Sequence, residues 1–207
     1  MELTLAITGA SGTIYAHRTL QLLAESGVVE TINLIMSGTS AIVAQVEMGA
    51  NLRETTTEKI NEWLGLPIDS KLIRFWRLDN LAAKPSSGSY RQEGMIIVPC
   101  SMGTLGAIAS GACSNLIHRA ADVCLKEGRK LVIVPRETPF NQIHLENMLR
   151  LSNAGARILP ASPSFYHKPK TIDDLVNHLC YRILDQFDIP HERKTQWTGE
   201  EIEQVKS

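Results

Sequence analysis

Two short apolar runs, each stopped by a polar turn, constrain this chain most. Met95-Ile96-Ile97-Val98 breaks at Pro99-Cys100-Ser101-Met102-Gly103-Thr104, and Leu131-Val132-Ile133-Val134 stops at Pro135-Arg136-Glu137. Runs of this kind read as buried strands ending in turns that can meet a ligand. Between them lie a small-residue segment rich in Ala and Gly, reaching Ala112, and a helical pattern from Ser114 to Lys126. Strands alternate with helices along the rest of the chain, which implies α/β architecture with a parallel sheet covered on both faces. In such a sheet, ligands bind just beyond the carboxyl ends of the strands.

The bounds from composition agree. At 207 residues the chain suits one good-sized α/β domain, expected over residues 1–190, with a polar tail over 191–207. A net charge of −1 points to no nucleic-acid or membrane partner. Cys100, Cys113, Cys124 and Cys180 form no C-x-x-C pair, which suits free thiols in a reducing compartment. No apolar run approaches the ~20 residues that span a bilayer. The expected location is the cytoplasm.

In order along the chain, Leu3 to Thr8 reads as a strand entering Gly9-Ala10-Ser11-Gly12, then a helix ending near Gly27. That turn offers backbone N–H groups and a hydroxyl to an anion; it reads equally as a tight strand-to-helix connection. The second strand, Thr31 to Met36, ends at Ser37-Gly38-Thr39-Ser40 without the carboxylate that would grip a ribose diol. This argues against NAD and permits a mononucleotide or phosphate ligand.

Glu47 closes the next, mostly apolar helix, from about Ser40 to Met48. It is either a proton acceptor with a raised pKa or an exposed helix-end glutamate. Thr55 and Glu58 have capping-box spacing at the start of a short helix, and Leu72 to Trp76 is the third strand. Lys84 to Ser89 reads as a surface loop or as a phosphate clamp. Arg119 and Lys126, seven apart, align on one helix edge and can grip a phosphate; Lys126 also suits the last helical turn simply as a cation. Glu127 to Lys130 reads as a solvated charge run. His144 and Glu146 do not make H-E-x-x-H, so no metal site is expected, and His144 reads as a capping or packing residue. A last helix starts at Thr171, with capping-box spacing to Asp174, and runs to about Phe187.

Five motifs recur here in one order: Gly9-Ala10-Ser11-Gly12, Cys100 to Thr104, Asn115 to Asp122, Pro135 to Phe140, and Phe165-Tyr166-His167. Together they resemble the flavin prenyltransferases of the UbiX type, older named aromatic-acid decarboxylases, from Leu3 to about Pro190. The resemblance implies a Rossmann-like or flavodoxin-like domain that binds FMN. It implies transfer of a dimethylallyl group from dimethylallyl phosphate to N5 and C6 of reduced FMN, without metal. The resemblance further implies that the prenylated FMN serves a UbiD-type decarboxylase and that the enzyme forms a homododecamer with sites at subunit interfaces.

By the same resemblance, FMN contacts fall to Gly9, Ala10, Ser11, Ser37, Ser101, Met102, Gly103, Thr104 and Arg136. The substrate phosphate falls to Ser87, Gly88, Arg119, Lys126, Glu137, Tyr166 and Arg182, some from a neighbouring subunit. Glu47 resembles the acid–base glutamate; Ser11, Lys126, Glu137, Tyr166 and Arg182 join it as catalytic candidates. Trp197 resembles an aromatic that closes the site, and Leu81 stands near where some relatives carry tryptophan. Rival readings are an FMN carrier or chaperone and an FMN-dependent decarboxylase of the same fold. The cysteine-peptide decarboxylases fit less well, because their Pro-Ala-Ser-Ala-Asn-Thr and Pro-x-Met-Asn motifs are replaced here.

Overall fold

The computed structural model describes residues 1–192. Six strands, β1 (Glu2–Ile7), β2 (Thr31–Met36), β3 (Ile73–Trp76), β4 (Gly94–Cys100), β5 (Lys130–Pro135) and β6 (Arg157–Ile158), form one sheet. All pairings are parallel and the order is β3-β2-β1-β4-β5-β6. The order reverses between β1 and β4, so a crevice is expected above their carboxyl ends. The helices are α1 (Thr13–Glu25), α2 (Gly38–Met48), α3 (Thr57–Leu64), α4 (Met102–Ala109), α5 (Leu116–Lys126), α6 (Gln142–Asn153) and α7 (Ile172–Asp185).

The four central strands, β1, β2, β4 and β5, are buried on both faces, and successive side chains point to opposite sides of the sheet. Leu3, Leu5, Ile7, Ile96, Val98, Val132 and Val134 enter the core shared with α1 and α7. Their neighbours Ala6, Met95, Ile97, Leu131 and Ile133 enter the core shared with α4 and α5. An uninterrupted apolar run thus serves two cores at once, which is why it carries no polar alternation.

Three local readings change. The Ala/Gly-rich segment before Ala112 contains a helix, α4: Ser101 caps it by accepting from Thr104 N–H, and Leu105, Ile108 and Ala109 are buried. Tertiary burial overrides its two glycines. The cap of α3 is Thr56, which accepts from Lys59 N–H at 3.3 Å, whereas the Thr55 hydroxyl donates to the Leu52 carbonyl. The charge run 127–130 is anchored rather than solvated. Arg129 donates to the carbonyls of Gly88 (2.6 Å) and Tyr90 (2.7 Å), and Lys130 pairs with Asp188 at 2.8 Å. His144 is a capping residue, forming a capping box with Asn141, and Thr171 forms one with Asp174. None of the described helices is long and apolar enough to cross a membrane.

Candidate active site at the carboxyl edge of the sheet

The turns after β1, β2, β4 and β5 meet along one edge. Thr8 ties the two strands flanking the crevice: its hydroxyl donates to the Pro99 carbonyl at 2.8 Å and accepts from Ser101 N–H at 2.8 Å. Arg136, after β5, donates Nε–H to the Ser11 carbonyl at 3.1 Å and so closes the edge over the β1 turn. Ser37 N–H donates to the Ile7 carbonyl at 3.0 Å. Gly9, Ala10, Ser11, Ser37, Ser101 to Thr104 and Arg136 are therefore brought together. Gly12 turns the chain into α1 with φ 111°, in the left-handed region that side chains other than glycine avoid.

The positive end of α1 is already occupied. Both oxygens of the Glu47 carboxylate accept from Gly12 N–H at 3.0 Å, and one accepts from Thr13 N–H at 2.8 Å. This corrects the expectation of a raised pKa. Burial does push the carboxyl up, but hydrogen bonds from the Ser11 hydroxyl and from Thr13 and Gly12 outweigh it and hold Glu47 below its ordinary value. Glu47 is an ionised carboxylate at neutral pH. The N-termini of α2 and α4 remain as anion sites; neither carries an acidic residue in its first turn. Beside Ser37 and Gly38 a cleft of about 750 Å³ opens, walled by Phe75, Leu78 and Asn115, a size that takes a mononucleotide. Hydroxyls, backbone N–H groups, Arg136 and this cleft suit a phosphorylated flavin in their donor chemistry. Cys100 is wholly buried and its thiol pushed up by desolvation, which makes it a packing group.

The phosphate candidates fall in different places. Ser87 and Gly88 follow a 3₁₀ turn, Lys84–Ser86, that packs on α5. Arg119, in the first turn of α5, donates to the Ser86 carbonyl at 3.1 Å. Lys126 ends α5, which begins at the carboxyl edge, where Leu116 N–H meets the Leu78 carbonyl, and descends ~16 Å. Tyr90, whose carbonyl Arg129 holds, bonds through its hydroxyl to Glu2 at the start of β1. Gly88 and Lys126 thus lie at the amino edge of the sheet, opposite the candidate flavin turns of the same chain. Tyr166 is exposed in the loop after β6, and Arg182 lies in the last turn of α7. Glu137 sits on the flavin edge, accepting from Thr138 N–H at 3.1 Å.

The chain matches the flavoprotein family over residues 1–184. It is 46% identical over 198 residues to the flavin prenyltransferase UbiX of Halalkalibacterium halodurans, covering 96% of this chain and 93% of that one. It belongs to the UbiX-type flavin prenyltransferase family. Among solved structures, a dodecameric FMN-dependent UbiX-like decarboxylase from Escherichia coli O157:H7 superposes with a TM-score of 0.83 at 40% identity, covering 96% of this chain and all of that one. AnUbiX (PadA1), solved with FMN and dimethylallyl pyrophosphate, gives 0.80 at 39%, covering 95% and 98%.

Against this UbiX-type frame, sequence reasoning missed Thr8 and Arg129. Thr8 looked like the last residue of a strand, and Arg129 like part of a charge run. Each matters through backbone carbonyls or N–H groups, which sequence does not display. Leu81 is half exposed, and Trp197 lies outside the described residues.

Proposed function

We propose that this chain is a metal-independent flavin prenyltransferase. It moves a dimethylallyl group from dimethylallyl phosphate to N5 and C6 of reduced FMN, and the product supplies a UbiD-type decarboxylase. The observation that carries the reading is the split between two sets of residues. An edge of hydroxyls, N–H groups and Arg136 suits the flavin, and a separate set of cations with Tyr166 suits a small phosphate ester. Because Gly88 and Lys126 lie at the far edge of the sheet, a second copy must bring them to the flavin edge. Exposed Ile42 and Val46 on α2, and Ile143, Leu145 and Leu149 on α6, suit burial between copies. A homododecamer, like that of the E. coli relative, places such edges together. The working location is the cytoplasm.

Reduced FMN supplies two electron-rich atoms, N5 and C6, which are joined to the two ends of the allyl unit. Breaking the allylic C–O bond leaves positive charge on the carbon and a further negative charge on the phosphate. Arg119, Lys126 and Arg182 stabilise the phosphate by preorganised charge, and the Tyr166 hydroxyl donates to it. Glu137 orients the phosphate through its remaining proton, and Ser11 adds a donor at the flavin edge. Glu47, ionised beside Ser11, accepts the proton that C6 gives up; of the two protons lost from N5 and C6, one goes to the middle allyl carbon as its double bond is consumed and the other leaves with the phosphate.

Anaerobic incubation with reduced FMN and dimethylallyl phosphate, without added metal, tests the reading. The extracted flavin should be heavier by one five-carbon unit in mass spectrometry. FMN that is bound and recovered unchanged would overturn it in favour of a carrier.

A further inference from the structure

The three cations assigned to the allylic phosphate share a feature that Arg136 lacks. Each is paired with a carboxylate of its own chain. Arg119 Nη1 lies 2.6 Å from Asp122 Oδ2, Arg182 Nη1 lies 2.6 Å from Asp185 Oδ2, and Lys126 Nζ bonds to Glu127. Arg136 donates to a neutral carbonyl instead, and no ion pair to it occurs among the described residues.

Asp185 is the most firmly held of the three acids. Its second oxygen shares a hydrogen bond with His191 Nε2 at 2.9 Å, and the His191 ring stacks on Tyr181 with centroids 4.6 Å apart. That leaves the Nε–Nη2 edge of Arg182, the edge suited to a phosphate fork, without a partner among the described residues.

The acids lie three, one and three residues from their cations. They accompany those cations whichever subunit supplies them. Half-exposed pairs of this kind add little to stability, but they do set the local charge. With Glu137 counted, the three cations and their three paired acids sum to one negative charge, whereas without those acids the site would present two positive charges. A diphosphate ester carries about one negative charge more than a monophosphate ester. A bare site would reward that extra charge, and a compensated one does so far less. It would also hold inorganic phosphate less tightly after the transfer.

We propose that Asp122, Glu127 and Asp185 are specificity-determining residues. They hold the phosphate site near electrical neutrality, so that it favours a monophosphate ester over a diphosphate and releases inorganic phosphate. The proposal rests on the prenyltransferase reading for the identity of the site.

The test uses the FMN-loaded protein and its Asp122→Asn, Glu127→Gln and Asp185→Asn variants. Each substitution keeps the shape and one acceptor oxygen while removing the charge. Calorimetric titration with inorganic phosphate and with pyrophosphate gives the ratio of the two affinities. We expect each neutralised acid to raise the preference for pyrophosphate by about fivefold. Pyrophosphate should become a correspondingly stronger inhibitor of prenylation from dimethylallyl phosphate. Three soluble, FMN-binding variants whose ratios stay within about twofold of the wild type would overturn the proposal. Three sites are tested independently, so failure of one variant to fold leaves two that decide. If the wild type never prenylates FMN, the functional reading falls, while the affinity ratio still decides the role of the acids.

Discussion

Glu47→Gln separates two roles that one carboxylate plays. In the structure the side chain bonds to the free N–H groups of Gly12 and Thr13, where it serves α1 as a cap supplied from α2. Glutamine can still accept one of those bonds, so the variant loses mainly charge. An anion at a helix N-terminus contributes about 0.3–1 kcal/mol, and solvent around this exposed side chain keeps the total near about 1 kcal/mol. In a chain of this size that lowers Tm by roughly 2–4 °C.

The dependence on pH is the sharper signature. The folded-state pKa lies below the unfolded one, so the stabilisation is complete above the ordinary carboxylate range. It is lost as pH falls through the folded value. Urea denaturation at fixed protomer concentration, from about pH 7 down to about pH 3, should show the gap between wild type and variant closing at the acid end. A gap that widens on acidification would mean that burial wins and Glu47 carries a raised pKa. A gap independent of pH would mean that the N–H bonds do not depend on charge. The same ionisation shapes catalysis. Turnover should fall in Glu47→Gln, and the acid limb of the wild-type rate profile should lie below the usual carboxylate pKa.

Three other substitutions read different parts of the structure. Thr8→Val keeps the shape but strands Ser101 N–H and leaves the Pro99 carbonyl with only the backbone N–H of residue 8, at 3.3 Å; it should cost about 1–3 kcal/mol in denaturation and weaken FMN binding measured by fluorescence quenching. Gly94→Ala would set a Cβ 2.1 Å from the Lys130 carbonyl oxygen, where backbone cannot yield, and should destabilise the protein by about 3 kcal/mol or unfold it, as circular dichroism would show. Gly88→Ala meets only the movable ends of Lys126 and Glu127, at 2.7 and 2.3 Å. It should fold normally yet raise KM for dimethylallyl phosphate roughly tenfold, the effect of losing one charged hydrogen bond of about 1.5 kcal/mol.

Much of this protein is legible in its sequence, and the reason is periodicity. Thr31 to Met36 matches β2 residue for residue, and the remaining strand and helix limits shift by a few positions. Apolar runs four to seven long can hardly do anything other than cross a core. That the candidate flavin residues share one edge was legible too, because they follow strand ends directly and a parallel sheet gathers strand ends. α4 was not legible, since its stability comes from Leu105 and Ile108 packing under the sheet rather than from propensity.

The limits of sequence are clearest at Glu47, Arg129 and Lys126. Residue types and spacing alone determined the α/β class, the polar turns and the list of charged candidates, because those follow from local pattern. Only the tertiary structure decided what each charge meets. Glu47 reaches the N-terminus of a helix 34 residues away and is held ionised by it. Arg129 holds a loop that precedes it by about forty residues. Lys126 ends at the sheet edge opposite the candidate flavin turns of its own chain. Long-range partners depend on how the layers pack, and charge acts over the distances that packing sets.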